Sequence, residues 1–330
     1  MRLGLIARAD SRGLGIQTKN VHDHLRPAKT MVVDCPSAQP LPIRKDWYPG
    51  ATWIHGLPTR EDFRTWLQGL DVVYTAETGY GTALWVEAKR AGVKTVLHAN
   101  WEFLNRADRP DLWLAPSMWH FNDFPAPKTF LPVPVDTDRF TPQTAHDGPR
   151  RFTHIVGRPA VHDRNGTADL FQALRHVTAD IELTVKCQQP GYVTRLANHI
   201  PPNVKLRIDE GDTPNYWDNY RGDVLIMPRR FGGLCLPVNE ALAAGMPAIM
   251  PNISPNEWLP TEWLVNAGWC TTFKAKQRVD IYSANHKALA AKIDQFTDAS
   301  FYTAAKVKAA DLARGLSWHT LLPEYQKALG

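Results

Sequence analysis

Two stretches of this chain combine residue types and spacings that do chemistry. The first is Pro228-Arg-Arg-Phe-Gly-Gly-Leu-Cys-Leu-Pro-Val-Asn-Glu240-Ala-Leu-Ala-Ala-Gly245-Met-Pro247. An apolar run at 224–227 enters a glycine loop, and the loop leads into a helix expected over 237–244 that carries Glu240 in its first turn. The backbone N–H groups of Gly233, Leu234 and Cys235 at such a junction suit a phosphate or a sugar hydroxyl. Val238, Ala241 and Leu242 around Glu240 are apolar. An acceptor-only carboxylate in that setting can hold a ribose diol through both oxygens. The plain structural alternative is a helix-start glutamate favoured by the dipole.

The second stretch is Ile155-Val156-Gly157-Arg158, followed by Asp163-Arg164-Asn165-Gly166-Thr167. A strand ending in Gly-Arg, a second arginine and a helix start supply the cations and amides that a diphosphate requires. Two further patterns read as structural. Asp136-Thr137-Asp138 has the form of a divalent-cation triplet but stands just before a linker. Gly13-x-Gly15 with Asp34 imitates a dinucleotide fingerprint, but Thr18 stands where the third glycine belongs and the glycines come six residues after the strand.

The elements that must position these residues alternate between short apolar runs and amphipathic stretches, the pattern of doubly wound α/β domains. Strands are expected at 3–7, 31–33, 52–55, 71–75, 93–98 and 112–115, with helices at 13–25, 60–70 and 82–91. Residues 141–151 are polar with two prolines and a glycine, which reads as a linker. The pattern then restarts, with strands at 152–156, 181–186, 204–208, 224–227 and 248–250 and helices at 167–177 and 237–244. A long helical stretch from 283 precedes a final helix at 318–329. Two such halves are expected to face a central cleft, where ligands usually bind.

Taken together, these motifs resemble the retaining glycosyltransferase family four, which has the GT-B fold. That family reads roughly Gly-Arg…Lys-Gly, then Pro-Ser-x-x-Glu-Gly-Phe-Gly-Leu-Pro-x-x-Glu-Ala-x-Ala-x-Gly-x-Pro, and the spacing from Pro228 to Glu240 matches without a gap. Val133-Pro-Val-Asp-Thr-Asp-Arg-Phe140 is similar to the family's segment before its linker, Arg12-Gly-Leu-Gly15 to its N-terminal glycine loop, and Ser317-Trp318 to the start of its last helix. The resemblance implies two Rossmann-like domains: an acceptor-side domain over 1–145, a nucleotide-sugar-binding domain over 146–312, and a helix over 313–330 crossing back to the first. It implies Arg158 and Arg164 at the diphosphate, Glu240 at the ribose, and donor contacts from Gly13, Gly15, Gly233, Leu234 and Cys235. His98, ending a strand, matches a histidine that approaches the donor sugar, and Glu77 and Glu102 are acceptor-side groups. The chain departs from the family at Gly232, where the first of two glutamates belongs, and at the phosphate-binding lysine, which is either replaced by Arg164 or absent, with Asn165 in the Lys-Gly slot. At the transferred sugar, the amides of residues 233–235, or Arg229 and Arg230, take the place of that first glutamate.

Composition narrows the setting. Of 330 residues, 44% are hydrophobic and 22% charged, ordinary for a globular protein with proper cores. No apolar run approaches the ~20 residues that span a bilayer, and 1–8 is too short an apolar stretch for a signal peptide. The four cysteines form no CxxC pair, which argues against zinc or a disulfide framework and for a reducing, cytoplasmic setting. Residues 1–45 hold eight basic and three acidic side chains, an excess equal to the whole chain's net +5. That excess suggests an anionic acceptor, with hydroxylated DNA bases first and a phosphorylated lipid or a protein hydroxyl after them. Trp47, Trp53, Trp101 and Trp119 could stack on sugar or base faces.

The expectation is therefore a metal-independent hexosyltransferase using a UDP-sugar, with no cofactor beyond that co-substrate. Three alternatives differ in what they would do: a GT-B sugar-nucleotide epimerase would convert the donor without an acceptor, a nucleic-acid-binding protein would ignore UDP-sugars, and an NAD oxidoreductase would change NADH fluorescence.

Overall fold

The computed structural model describes residues 1–35, 41–144, 148–213 and 215–330. These divide into two compact units, one of Met1–Pro134, Ala275–Gln277 and Trp318–Gly330, the other of Val135–Lys274 and Arg278–Ser317. The expected boundary between 145 and 146 lies outside the described residues, and the division seen here falls earlier, after Pro134.

In the first unit the chain runs β1 (Leu3–Ala7), α1 (Gly13–Leu25), β2 (Lys29–Asp34), β3 (Thr52–His55), α2 (Arg60–Trp66), β4 (Val72–Ala76), α3 (Ala83–Ala91), β5 (Lys94–His98), β6 (Leu112–Ala115) and β7 (Lys128–Phe130). All seven strands are parallel, in the order β3-β2-β1-β4-β5-β6-β7. A parallel sheet is covered on both faces, so its central strands can be apolar throughout, and β1 and β4 are buried at every position. Helix starts follow local chemistry: Thr59 and Asp62 form a capping box that opens α2.

The second unit continues with β8 (Arg150–Gly157), α4 (Thr167–Leu174), β9 (Ile181–Cys187), β10 (Val204–Glu210), β11 (Val224–Ile226), α5 (Leu236–Ala243), β12 (Ala248–Pro251), β13 (Leu264–Val265), β14 (Ala267–Lys274), β15 (Arg278–Ala284), α6 (His286–Gln295) and α7 (Ala299–Gly315). Its main sheet has the order β10-β9-β8-β11-β12-β13, again all parallel. The chain then returns to the first unit as α8 (Trp318–Leu329). Trp318, Leu321, Tyr325 and Leu329, at helical spacing, bury into that unit's core beside Leu5, Tyr74 and Leu114.

Three features depart from the sequence expectation. β7 and β13 are too short to give a periodic signal. The hairpin β14–β15 ends inside the stretch expected to be helical from 283; its first strand is largely exposed, with Trp269 at 62%, so it shows no buried alternation. The helical run from 283 is two helices, each opened by its own cap, Asn285 accepting from Ala288 N and Asp298 accepting from Phe301 N.

Candidate functional site

In the second unit the strand order reverses between β8 and β11. Ligands of open α/β sheets bind outside the carboxyl ends of the strands at such a switch point. Both chemistry-bearing stretches emerge there, Arg158–Thr167 after β8 and Pro228–Cys235 after β11.

Backbone contacts lace the two loops together. Gly166 has φ +69°, and a Cβ on it would lie 2.0 Å from Pro228 O, so only glycine lets the loops close up. Arg230 N donates to Arg164 O at 2.8 Å, and its guanidinium reaches the carbonyls of Tyr282 (2.9 Å) and His162 (3.1 Å). Arg230 is thus a brace for the loops. Below them His154 on β8 bridges Ile226 O (2.8 Å) and Thr167 Oγ1 (3.0 Å), and burial pushes its pKa down to about 4. A neutral imidazole there ties β11 and the start of α4 to β8, a connection that no motif in the sequence signals.

The guanidinium of Arg164 turns towards Phe231, its Cζ 5.5 Å from the ring centroid, and towards Gly232. A Cβ at Gly232 would lie 2.3 Å from Arg164 Nη2 and 2.5 Å from Arg229 Nη2. The space a glutamate side chain would need at this position therefore holds two guanidinium groups. Asn165, in the family's lysine place, points inward to Ile155 O (3.3 Å) and Val156 O (2.9 Å). Arg158 follows the end of β8 and is half-buried.

The helix start at α4 is less open than expected. Asp163 accepts from Thr167 N (3.1 Å) and Ala168 N (2.8 Å), so the chain itself supplies the anion that this terminus would attract. At α5 the amides of Gly233, Leu234 and Cys235 donate to no group among the described residues, the condition under which a helix start can receive an oxyanion.

Glu240 is the fifth residue of α5, beyond the first turn, which corrects its expected place and removes the helix-dipole explanation. It is 5% exposed, and Tyr220 donates its hydroxyl to Glu240 Oε2. Burial raises the carboxyl's pKa to about 7, with the tyrosine's hydrogen bond pulling the other way. Tyr220, itself held well above its ordinary value by burial, stays a donor, and its ring packs edge-on to Phe140 at 5.7 Å. A carboxyl poised near neutrality inside a protein is characteristic of functional sites.

The first unit contains the remaining expected residues. Gly13 and Gly15 open α1, as anticipated. A Cβ at Gly13 would meet open space, whereas one at Gly15 would lie 1.8 Å from Asp10 O, so Gly15 serves the packing of the loop onto the helix. His98 ends β5 at 1% exposure, with Nδ1 2.9 Å from Tyr74 Oη and 3.3 Å from Tyr325 Oη. Burial drives its pKa down to about 3. These contacts tie the Nδ1 side of His98 to β4 and α8, while its Nε2 is buried with no hydrogen-bond partner among the described residues. Trp101 and Trp119 are buried and meet at a T-shaped angle (centroids 5.1 Å apart), and Trp101 stacks on His120 at 3.8 Å. Trp53 borders a shallow groove with Arg8, Asp10 and Ile43. Glu77 accepts from Asn100 at 3.5 Å, and Glu102 is buried.

The basic excess of residues 1–45 is partly neutralised. Arg8 and Arg12 reach Asp10 (3.4 and 3.6 Å), Lys19 pairs with Asp23, and Lys29 caps the carbonyls of Trp66 and Gln68. Asp136 accepts from Arg139 Nε at 2.6 Å. Among the described residues no three His, Cys, Asp or Glu side chains converge as metal ligands, and no helix is long and apolar enough to cross a membrane.

No family model and no curated protein matches the sequence. Solved structures do match over the whole chain. HepE of Anabaena, in complex with UDP and glucose, is 11% identical with TM-score 0.74, covering 100% of this chain and 99% of that one. Sucrose-phosphate synthase from Thermosynechococcus elongatus is 13% identical with TM-score 0.70, covering 99% and 98%. A glycosyltransferase from Rickettsia africae is 12% identical with TM-score 0.69, covering 99% and 97%. At such identities the likeness is one of fold: two Rossmann-like α/β domains, the GT-B fold.

Proposed function

We propose that this chain is a retaining glycosyltransferase, moving a sugar from a UDP-hexose donor to a hydroxyl acceptor. The observation that carries the reading is the buried carboxyl of Glu240 on α5, preceded by a loop of guanidinium groups and unused amides at the second unit's switch point. A nucleoside diphosphate needs an acceptor for its ribose hydroxyls and cations for its phosphates. The UDP and glucose bound by Anabaena HepE support the donor class, and the Pro228–Glu240 motif supports retention.

In this mechanism Glu240 takes the ribose diol and sets the donor's register. Arg158 and Arg164 stabilise the charge that grows on the departing diphosphate, and the amides of Gly233, Leu234 and Cys235 hold a phosphate or sugar oxygen. The bond from the sugar's anomeric carbon to the phosphate oxygen breaks as the acceptor oxygen bonds to the same face. The acceptor's proton passes to the leaving diphosphate, so no protein base and no metal ion is required. The acceptor is assigned to the first unit and is anionic, with hydroxylated DNA bases as the leading case.

The test offers UDP-glucose, UDP-galactose and UDP-N-acetylglucosamine with hydroxymethylated duplex DNA, an inositol phosphate or a protein substrate, and reads mass and anomeric configuration of the product. The reading expects an α-linked product from these α-linked donors. An isomerised donor without acceptor would identify an epimerase, and a β-linked product would contradict retention.

A further inference from the structure

Arg229 lies in the loop after β11 and is 7% exposed. Its Nε donates to Phe231 O at 3.0 Å, which orients the guanidinium without neutralising it. No carboxylate pairs with it among the described residues. Its Nη2 and that of Arg164 both fall within 2.5 Å of the point where a Cβ on Gly232 would stand. The two guanidiniums are therefore held within ~5 Å of each other, a convergence of positive charge that a bound anion would stabilise. Gly232, at φ +115°, is the residue that makes room: it has no side chain to displace the guanidiniums and accepts a backbone that strains other residues. The loop continues into the amides of Gly233, Leu234 and Cys235, which donate to no group among the described residues.

We propose that Arg229 and Arg164, converging over Gly232, form an oxyanion site, and that the group it takes is the diphosphate of the donor. The inference rests on the nucleotide-sugar reading and deepens it. Asn165 is turned inward and offers no cation, so the second charge on the phosphates comes from Arg229, on the other loop. Planar guanidiniums suit this because each can give two parallel N–H donors to one phosphate.

The experiment is calorimetric titration of UDP, UMP and UDP-glucuronate into wild type, Arg229→Gln and Arg229→Lys, with the thermal midpoint of each protein measured with and without UDP. Arg229→Gln is expected to weaken UDP about 10-fold to 100-fold, the scale of one charge-assisted contact, while changing UMP much less. Arg229→Lys should recover part of the loss. Without ligand the Gln variant should melt no lower than wild type, because Arg229 pairs with no carboxylate among the described residues and its removal strands no partner charge. Wild-type UDP affinity in a folded Arg229→Gln protein would overturn the proposal. So would a lowered midpoint with the UDP-induced shift intact, the mark of a purely structural arginine. A loss confined to UDP-glucuronate would move the oxyanion from the diphosphate to a carboxylate on the sugar and overturn the assignment. Failure of wild type to bind any of the three would instead strike the nucleotide-sugar reading itself.

Discussion

Glu240 carries an ionisation that opposes folding. Its pKa stands at about 7 in the folded chain against an ordinary 4.5. As pH rises between those values the unfolded chain loses this proton while the folded one keeps it, so this group's contribution to stability falls across that window and levels off above about 7. Glu240→Gln removes the dependence. The variant is expected to gain stability relative to wild type as pH rises from about 5 to 8, read by thermal melts, while losing most transfer activity. Wild-type donor affinity should rise through pH ~7 as the carboxylate forms, and should be flat in the variant. Unchanged donor KM and kcat in the folded variant would remove Glu240 from the site. His98 predicts the opposite pattern: His98→Ala opens a hole between Tyr74 and Tyr325 and should cost about 1–3 kcal/mol of stability with kcat/KM of the folded fraction retained. A folded variant without turnover would return His98 to the chemistry. Both residues stand out in the sequence, but their environments are not legible there. Glu240's tyrosine partner lies twenty residues away in the chain, and one of His98's lies 227 away.

The loops after β8 and β11 are the elements that assemble the site. Arg158→Ala and Arg164→Ala are each expected to lower kcat/KM by about 10²–10³-fold, the scale for removing a partner of transition-state charge. Full turnover and UDP affinity in the double variant would mean that the diphosphate binds elsewhere. Buried parallel strands are legible as continuous apolar runs, and 3–7 and 112–115 coincide with β1 and β6, while 52–55 coincides with the edge strand β3 and 13–25 with α1. Side-chain destinations inside the loops are not. Arg229 and Arg230 are neighbours in sequence, yet one turns to Gly232 and the other to Tyr282 O. The α4 start reads as an anion site until Asp163 is seen to cap it.

Across the whole molecule, the repeated strand order and the return of α8 to the first unit give the GT-B fold. The proposed role of Arg158 and Arg164 at the leaving diphosphate predicts that transfer persists in EDTA; loss of turnover that Mn²⁺ or Mg²⁺ restores would contradict this. The central claim is that the chain binds a nucleotide-sugar donor through Glu240 and the adjoining cationic loops. Its most direct test is calorimetric titration of UDP-glucose into wild type and Glu240→Gln at pH ~8, where the carboxylate is ionised. Saturable one-to-one binding to wild type is predicted, with an affinity lower by roughly 10-fold to 100-fold in the variant, the worth of one charged hydrogen-bonding group. Equal affinity in the two proteins, or no binding of UDP-glucose or any other nucleotide sugar to wild type, would contradict it.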